Sequence, residues 1–205
     1  MSLRADRVTF AYPGAAPLLR EVSLAVEPGE RVALCAHSGA GKTTLCRLLA
    51  GYVHPIAGRI TVDGTALDTC RGARPVQLIW QHPEQSFDPR LPLGRSLAEA
   101  SDPKGAYAVE LAERFGVQEA WLARRPHELS GGELMRCCLV RALMVRPRYL
   151  LCDEATAMLD VVTQAELWRE LMAVQRRQHM GMIVVSHVPA LLARVATRTL
   201  RLDVL

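Results

Sequence analysis

The 205-residue sequence has no apolar run long enough to cross a bilayer. Its longest weakly polar stretch, Met180 to Leu192, is shorter than the roughly 20 residues a membrane helix needs and is broken by His187 and Pro189. The N-terminal MSLRADRVTF lacks the apolar segment of a secretory signal. Any membrane association is therefore expected to come through a partner protein. A large excess of one charge is also missing: the net charge is +4, which gives no reason to expect nucleic acid or an anionic membrane surface as the main partner. The six cysteines, at 35, 46, 70, 137, 138 and 152, form no C-x-x-C pair. They read as reduced, small hydrophobic side chains rather than as a disulfide or metal site, with the cytoplasm as the expected compartment. Internal repeats and low-complexity tracts are absent too. The three tryptophans, Trp80, Trp121 and Trp168, read as packing residues.

What is present is the composition of a folded globular protein, half hydrophobic and about a fifth charged. The length suits one domain with a core, or one domain plus a small insertion. The most informative stretch is Ala36–Thr44, AHSGAGKTT, between the β-compatible Arg31–Cys35 and a run, Leu45–Leu49, that is apolar at helical spacing. Ser38, Gly39, Ala40, Gly41, Lys42, Thr43 and Thr44 make a phosphate-binding loop whose usual first glycine is Ala36. Glycines let backbone N–H groups curl towards an anion, and the helix start that follows adds partial positive charge. Lys42 is expected to reach the outer phosphates and the Thr43 hydroxyl to help hold Mg²⁺. An ordinary Gly-rich turn capping a helix is the plain alternative.

Strands are predicted over Leu3–Phe10, Leu18–Val26, the run into the loop, Gly58–Gly64, Val76–Trp80, Tyr149–Cys152, Met182–Val185 and Arg198–Val204. Helices are predicted over Lys42–Ala50, Glu133–Val145 and Gln164–Gln178. From His82 to Pro126 the composition shifts: prolines punctuate it, and Leu97–Ala100 and Tyr107–Phe115 look helical. The fold class expected is α/β, a P-loop NTPase. Its core, residues 1–81 and 127–205, has a largely parallel sheet and an N-terminal antiparallel β region. A small helical subdomain, 82–126, is inserted into it.

Two further stretches carry chemistry. Tyr149–Cys152 ends in Asp153-Glu154, acids at the carboxyl end of a buried strand. Asp153 is placed to hold Mg²⁺, and Glu154 to polarise a water for attack on a γ-phosphorus; a solvated acidic turn is the alternative. Leu129-Ser130-Gly131-Gly132-Glu133 opens a helix and makes a second anion-seeking helix start. Taken alone it is only a helix cap, with Ser130 as N-cap. A second phosphate-binding start has a use if it closes onto a nucleotide held by another subunit.

In their joint order these stretches resemble the ATP-binding subunits of ABC transporters. The resemblance spans nearly the whole chain: Tyr12 where an adenine-stacking aromatic sits, the loop Ser38–Thr44, Gln81 after a strand, Leu129–Glu133 as the signature, Asp153-Glu154, Leu159-Asp160 as the D-loop, and His187 as the switch histidine. The segments Gln81–Arg90 and Asp153–Gln164 look more narrowly like the peptide/nickel import branch, with nickel or a metal–chelator complex ahead of peptides. The resemblance implies an ATPase powering uptake, peripheral at the cytoplasmic face of the membrane. ATP is sandwiched head-to-tail between Lys42, Thr43 and Thr44 of one subunit and the Ser130-Gly131-Gly132 helix end of a second, identical or homologous, subunit, with Asp160 of the D-loop also among the nucleotide-binding residues. Glu154 is the base, His187 positions the γ-phosphate, and Gln81 links Mg²⁺ to the helical subdomain. Two transmembrane permease subunits and an extracytoplasmic binding protein complete the implied assembly. The sequence departs from the family at Ala36, at Ala157-Met158 beside the D-loop, at Glu133 for a glutamine and at Val188. Two rival readings are a non-hydrolysing partner with a degenerate site and a soluble ABC-type ATPase.

Overall fold

A computed structural model describes residues 1–69 and 74–202; Cys70 and the end of the predicted last strand lie outside the described residues. The chain divides into two compact units. The first comprises Met1–Leu78, Arg148–Asp153 and His179–Leu205, and the second Ile79–Pro147 and Glu154–Gln178.

In the first unit, β1 (Leu3–Phe10) and β2 (Leu19–Val26) pair antiparallel, β4 (Ala57–Val62) lies on the other side of β1, and β5 (Thr65–Ala66) follows it to the edge. Leu3, Ala5, Val8 and Phe10 turn inward from β1, and Leu19, Val22, Leu24 and Val26 from β2. The β1–β2 register shifts between Ala5 and Val8 and again before Phe10, and Arg7 and Glu21 take φ of 45° and 50° there. The N–H groups at these irregularities go to side chains: Arg7 N donates to Ser23 Oγ and Glu21 N to Thr9 Oγ1. Hydroxyls from the neighbouring strand thus satisfy backbone groups that the ladder cannot.

The second sheet runs β6 (Val76–Ile79), β7 (Tyr149–Asp153), β8 (Gly181–Val185), β3 (Arg31–Cys35), β9 (Arg198–Arg201). Every residue of β7 and β8 is buried, and the pairings β7–β8, β8–β3 and β3–β9 are parallel. That is the physics of a sheet covered on both faces, whose strands read as continuous apolar runs. Parallel strands β3, β8 and β7 open their carboxyl ends at one edge, which is where the loop before α1 (Lys42–Leu49) begins. Asp63, in the turn between β4 and β5, accepts from Arg148 Nη1 at 2.6 Å and Tyr149 Oη at 3.2 Å, tying the antiparallel sheet to β7. Burial, with Asp63's charge second, pushes the Tyr149 phenol well above its ordinary range.

The second unit is helical: α2 (Leu93–Ala98), α3 (Ala106–Arg114), α4 (Gly131–Met144) and α5 (Val161–Gln178), with 3₁₀ turns at Pro83–Ser86, Glu119–Ala123 and Pro126–Glu128. α4 is its core helix, and Leu134, Cys137, Cys138, Leu139 and Leu143 are among its buried residues. Arg141 binds the Ser86 carbonyl at 2.7 Å, the Ser96 carbonyl at 2.9 Å and Glu99 at 3.1 Å, so one guanidinium on α4 holds both α2 and the turn before it. The stretch 82–126 lies wholly within this unit, but α4 and α5 belong to it as well, because α4 packs on α2 and α3.

Several element ends differ from expectation. α2 starts at Leu93 rather than near Leu97, because extended Pro92 serves as its N-cap residue. α5 begins three residues before Gln164, where Asp160 accepts from the N–H groups of Val162 and Thr163. α6 (Pro189–Val195) was not expected; Pro189 occupies its first turn, which needs no N–H donor.

Candidate functional site

In the first unit, the stretch between β3 and α1 turns through two left-handed glycines, Gly39 at φ 81° and Gly41 at φ 95°. The left-handed conformation at Gly41 is what calls for glycine, and a Cβ there would also have to push aside the Leu19 Cδ2 methyl, 2.9 Å away. Ala36 is not among the residues with positive φ, so its methyl does not strain the loop. Ser38 and Gly39 are exposed and Ala40 is half-buried. Lys42 is 9% exposed, and its Nζ donates to the Ala36 and His37 carbonyls, both at 3.0 Å. The ammonium is thus folded into the mouth of its own loop, a buried cation held by carbonyl dipoles. Thr43 is exposed at the helix start, whereas Thr44 is buried, with its Oγ1 3.1 Å from the Tyr12 hydroxyl.

Asp153 closes β7 opposite Val185 of β8, and Ser186-His187 follow directly. Asp153 is 4% exposed, and His187 is exposed. Burial, reinforced by the Asp153 charge, raises the thiols of Cys46 and Cys152, the latter to about 12. Burial does the same for Cys137 and Cys138, each pushed to about 12. Thiols so far from ionising are inert apolar packing. The structure therefore brings Lys42, Thr43, Thr44 and Tyr12 together, and sets Asp153 and His187 on the sheet edge from which the loop springs.

The second unit carries the rest. Glu154, next after Asp153, is half-buried and takes φ 52°, a left-handed conformation rare for a side chain that is not glycine. Gln81 is half-buried just beyond β6. Ser130 caps α4: its Oγ accepts from Glu133 N at 3.3 Å, while Glu133 Oε2 accepts from Ser130 N at 2.8 Å. This reciprocal box gives Glu133 a local purpose that its difference from the family's glutamine did not reveal, although the S-x-x-E spacing carries the signal. Gly131 is exposed, and a Cβ there would meet nothing within 4 Å; one on Gly132 would rest 3.5 Å from Leu159 Cδ2. Leu159 and the start of α4 are thus neighbours. Asp160 caps α5, and hydrogen bonds from Thr163 hold its carboxyl below the usual range. Behind it, Thr156 Oγ1 accepts from Gln164 Nε2 and Trp168 Nε1, both at 2.9 Å, which anchors the 154–160 loop on α5.

The family description "ABC transporter" matches residues 19–157, a span from β2 through the loop, the Ser130 helix start and Asp153-Glu154. The chain belongs to the ABC transporter family. This ATP-binding cassette is 34% identical over 200 residues to the nickel import ATP-binding protein NikE of Escherichia coli, covering 91% of this chain and 75% of NikE. It is 34% identical over 194 residues to the glutathione import ATP-binding protein GsiA of Pectobacterium atrosepticum, with 88% and 31% covered. It is 31% identical over 220 residues to a probable peptide ABC transporter ATP-binding protein of Sinorhizobium fredii, with 96% and 62% covered. The cassette thus spans less than two thirds of the last two relatives. Among solved structures it superposes on an ATP-binding subunit of an ABC transporter with TM-score 0.85 at 25% identity, covering 98% of this chain and 85% of that one. A bacterial ABC exporter with ATP bound gives 0.83 at 28% identity, with 98% and 37% covered. Both likenesses agree with the α/β architecture described above. Among the described residues no helix is long and apolar enough to cross a membrane.

Proposed function

We propose that this cassette is the ATP-hydrolysing subunit of a membrane importer for nickel, a metal–chelator complex or peptides. The observation that carries it is the phosphate loop with Lys42 in its mouth, rising from the sheet edge that also bears Asp153 and His187. On this reading ATP displaces the Ala36 and His37 carbonyls from Lys42, and the loop N–H groups take the phosphates. Each charge-assisted hydrogen bond so formed contributes about 1.5–3 kcal/mol. Glu154 takes the proton of a water as that water attacks the γ-phosphorus. The bond from the γ-phosphorus to the bridging oxygen breaks, leaving ADP and phosphate, and His187 orients the water and the γ-phosphate. Thr43, Asp153 and Gln81 offer oxygen donors of the hard kind that suits Mg²⁺, and the Asp153 carboxylate is buried. Bound Mg²⁺ supplies neutralisation of charge on the phosphates.

The partner is a second ATPase subunit, identical or homologous, placed head-to-tail so that Ser130, Gly131 and Gly132 reach the first subunit's nucleotide, with Asp160 beside it. The open space at Gly131 supports this: among the described residues no atom stands within 4 Å of a Cβ built there. Kinship with nickel, glutathione and peptide import proteins supports a reading in which permease subunits, an extracytoplasmic binding protein and a place at the cytoplasmic face of the membrane complete the assembly. The unstrained Ala36 weighs against a degenerate site. The test is steady-state ATPase of the purified assembly, wild type against Glu154→Gln. Hydrolysis should fall by on the order of 10²–10⁴ if Glu154 is the base; equal rates would refute the reading.

A further inference from the structure

Glu154 carries its side chain on a backbone at φ 52°, a region that residues other than glycine hold only where their surroundings fix them. What surrounds it is a short turn pinned to α5. The Glu154 carbonyl accepts from Ala157 N at 3.0 Å, and the Thr156 carbonyl accepts from Leu159 N at 3.2 Å. Thr156 stands inside this turn and is 6% exposed. A threonine hydroxyl has two lone pairs, and both are engaged: Gln164 Nε2 and Trp168 Nε1 each donate to Oγ1 at 2.9 Å. Gln164 Nε2 also reaches the Thr156 carbonyl at 3.1 Å. Gln164 and Trp168 stand four residues apart in α5, so they share one face of the helix and grip the turn together. Trp168 is buried, so its N–H finds its partner inside the protein rather than in water.

We propose that Trp168 and Gln164 are positioning residues for ATP hydrolysis: through the Thr156 hydroxyl they hold the 154–157 turn in the shape that aims the Glu154 carboxylate. The proposal rests on the reading that Glu154 is the general base. A base acts only within hydrogen-bond reach of the water it deprotonates, so a turn that relaxes out of the left-handed region carries the carboxylate away from that water. On the same reading the phosphates are held by the loop between β3 and α1, which none of these bonds touches. Loosening the turn therefore slows the chemical step and leaves substrate binding as it was.

The experiment measures kcat and KM for Mg-ATP in the purified assembly, with thermal unfolding of every variant alongside. Trp168→Phe keeps an aromatic ring and loses the N–H, and Gln164→Met keeps the length and loses the amide. Each should lower kcat about two- to tenfold, the scale of one hydrogen bond, with KM unchanged. Thr156→Val removes the shared acceptor and should lose at least as much, while Thr156→Ser, which restores the hydroxyl, should recover most of the rate. In Glu154→Gln, already slow, adding Trp168→Phe should cost nothing further, because no carboxylate remains to aim. A purely structural role would instead multiply the two losses. Trp168→Phe and Gln164→Met at the wild-type kcat, or losses that multiply in the pair, would overturn the proposal. A Glu154→Gln assembly as fast as wild type would overturn the base reading itself, whereas a slow one beside a full-rate Trp168→Phe would overturn the positioning alone.

Discussion

Single side chains set local chemistry here by where their charges and carbons end up. Arg90 forks onto Asp88, with Nε 3.0 Å from Oδ1 and Nη2 2.8 Å from Oδ2, and its own N–H also reaches Oδ1. These bonds hold the Asp88 carboxyl at about 2 against an ordinary 3.8. The folded value is depressed, so what the pair adds to the order of this loop is present above pH 3.8 and is lost as the pH falls towards 2. An NMR titration should place Asp88 near 2 in the wild type and raise it in Arg90→Gln, though not fully to 3.8, because the backbone N–H bond to Oδ1 remains. An unmoved value in the variant would remove Arg90 as the cause. Gly131 separates fold from function differently. Its missing Cβ would meet open space, so Gly131→Ala should leave the thermal midpoint unchanged or slightly raised, with a gain of at most about 1 kcal/mol. The same change should cut ATPase by at least about tenfold if a phosphate and a partner subunit approach there. A variant that unfolds earlier yet hydrolyses ATP normally would reverse both halves of that expectation.

Among the helices, α4 shows how a start is secured. Two N–H groups that a helix start cannot satisfy internally are taken by Ser130 Oγ and Glu133 Oε2. Glu133→Ala should lower the unfolding free energy by about 1 kcal/mol. Glu133→Gln retains an acceptor and loses only the charge beside the helix dipole, about 0.3–1 kcal/mol. Urea unfolding of the two variants decides: equal losses would mean that the charge, not the hydrogen bond, is what matters. The sequence showed that these helices exist more clearly than where they begin. Asp160 extends α5 back to Val161 through hydrogen bonds of its own carboxylate, and Pro92 moves α2 earlier. Both signals were present in the residues, but Asp160 also had a place in the D-loop and the prolines read as breaks. α6, with seven residues, is too short for apolar spacing to reveal.

Across the whole chain, one long-range tie in the first unit joins Glu30, ahead of β3, to Arg198 in β9. Arg198 Nε lies 2.6 Å from Oε1 and Nη2 3.2 Å from Oε2, while Nη2 also reaches the Ala25 carbonyl at 2.8 Å. The Arg198 hydrogen bond, helped by the Glu27 N–H, holds the Glu30 carboxyl below its ordinary 4.5 against the opposing effect of burial. A carboxyl lowered in the folded state contributes stability above its unfolded value and loses it as acid protonates it. Glu30→Gln should therefore be less stable than wild type at pH 7, and the gap should close as the pH falls below 4.5. Chemical denaturation across that range checks it, and a gap that widens in acid would contradict the assignment. Helices α4 and α5 belong with the stretch 82–126 for a reason of the same scale: Arg141 of α4 binds the Ser86 and Ser96 carbonyls there, and Glu170 of α5 pairs with Arg114 of α3.

The sequence by itself determined the phosphate loop, the acids closing β7, the signature at the start of α4 and the apolar strands, because each depends on neighbours a few residues apart. Backbone reach, helix spacing and strand alternation are local rules, and they left local marks. Only the tertiary structure decided the strand order β6-β7-β8-β3-β9, the bond from Tyr12 to Thr44, the tie from Asp63 to Arg148 and Tyr149, and the union of Glu30 with Arg198. Those partners stand 32 to 168 residues apart, and no periodicity links them. Hydrogen bonds between strands and between distant side chains form only once burial has folded the chain back on itself, so their pairing is written in packing rather than in sequence.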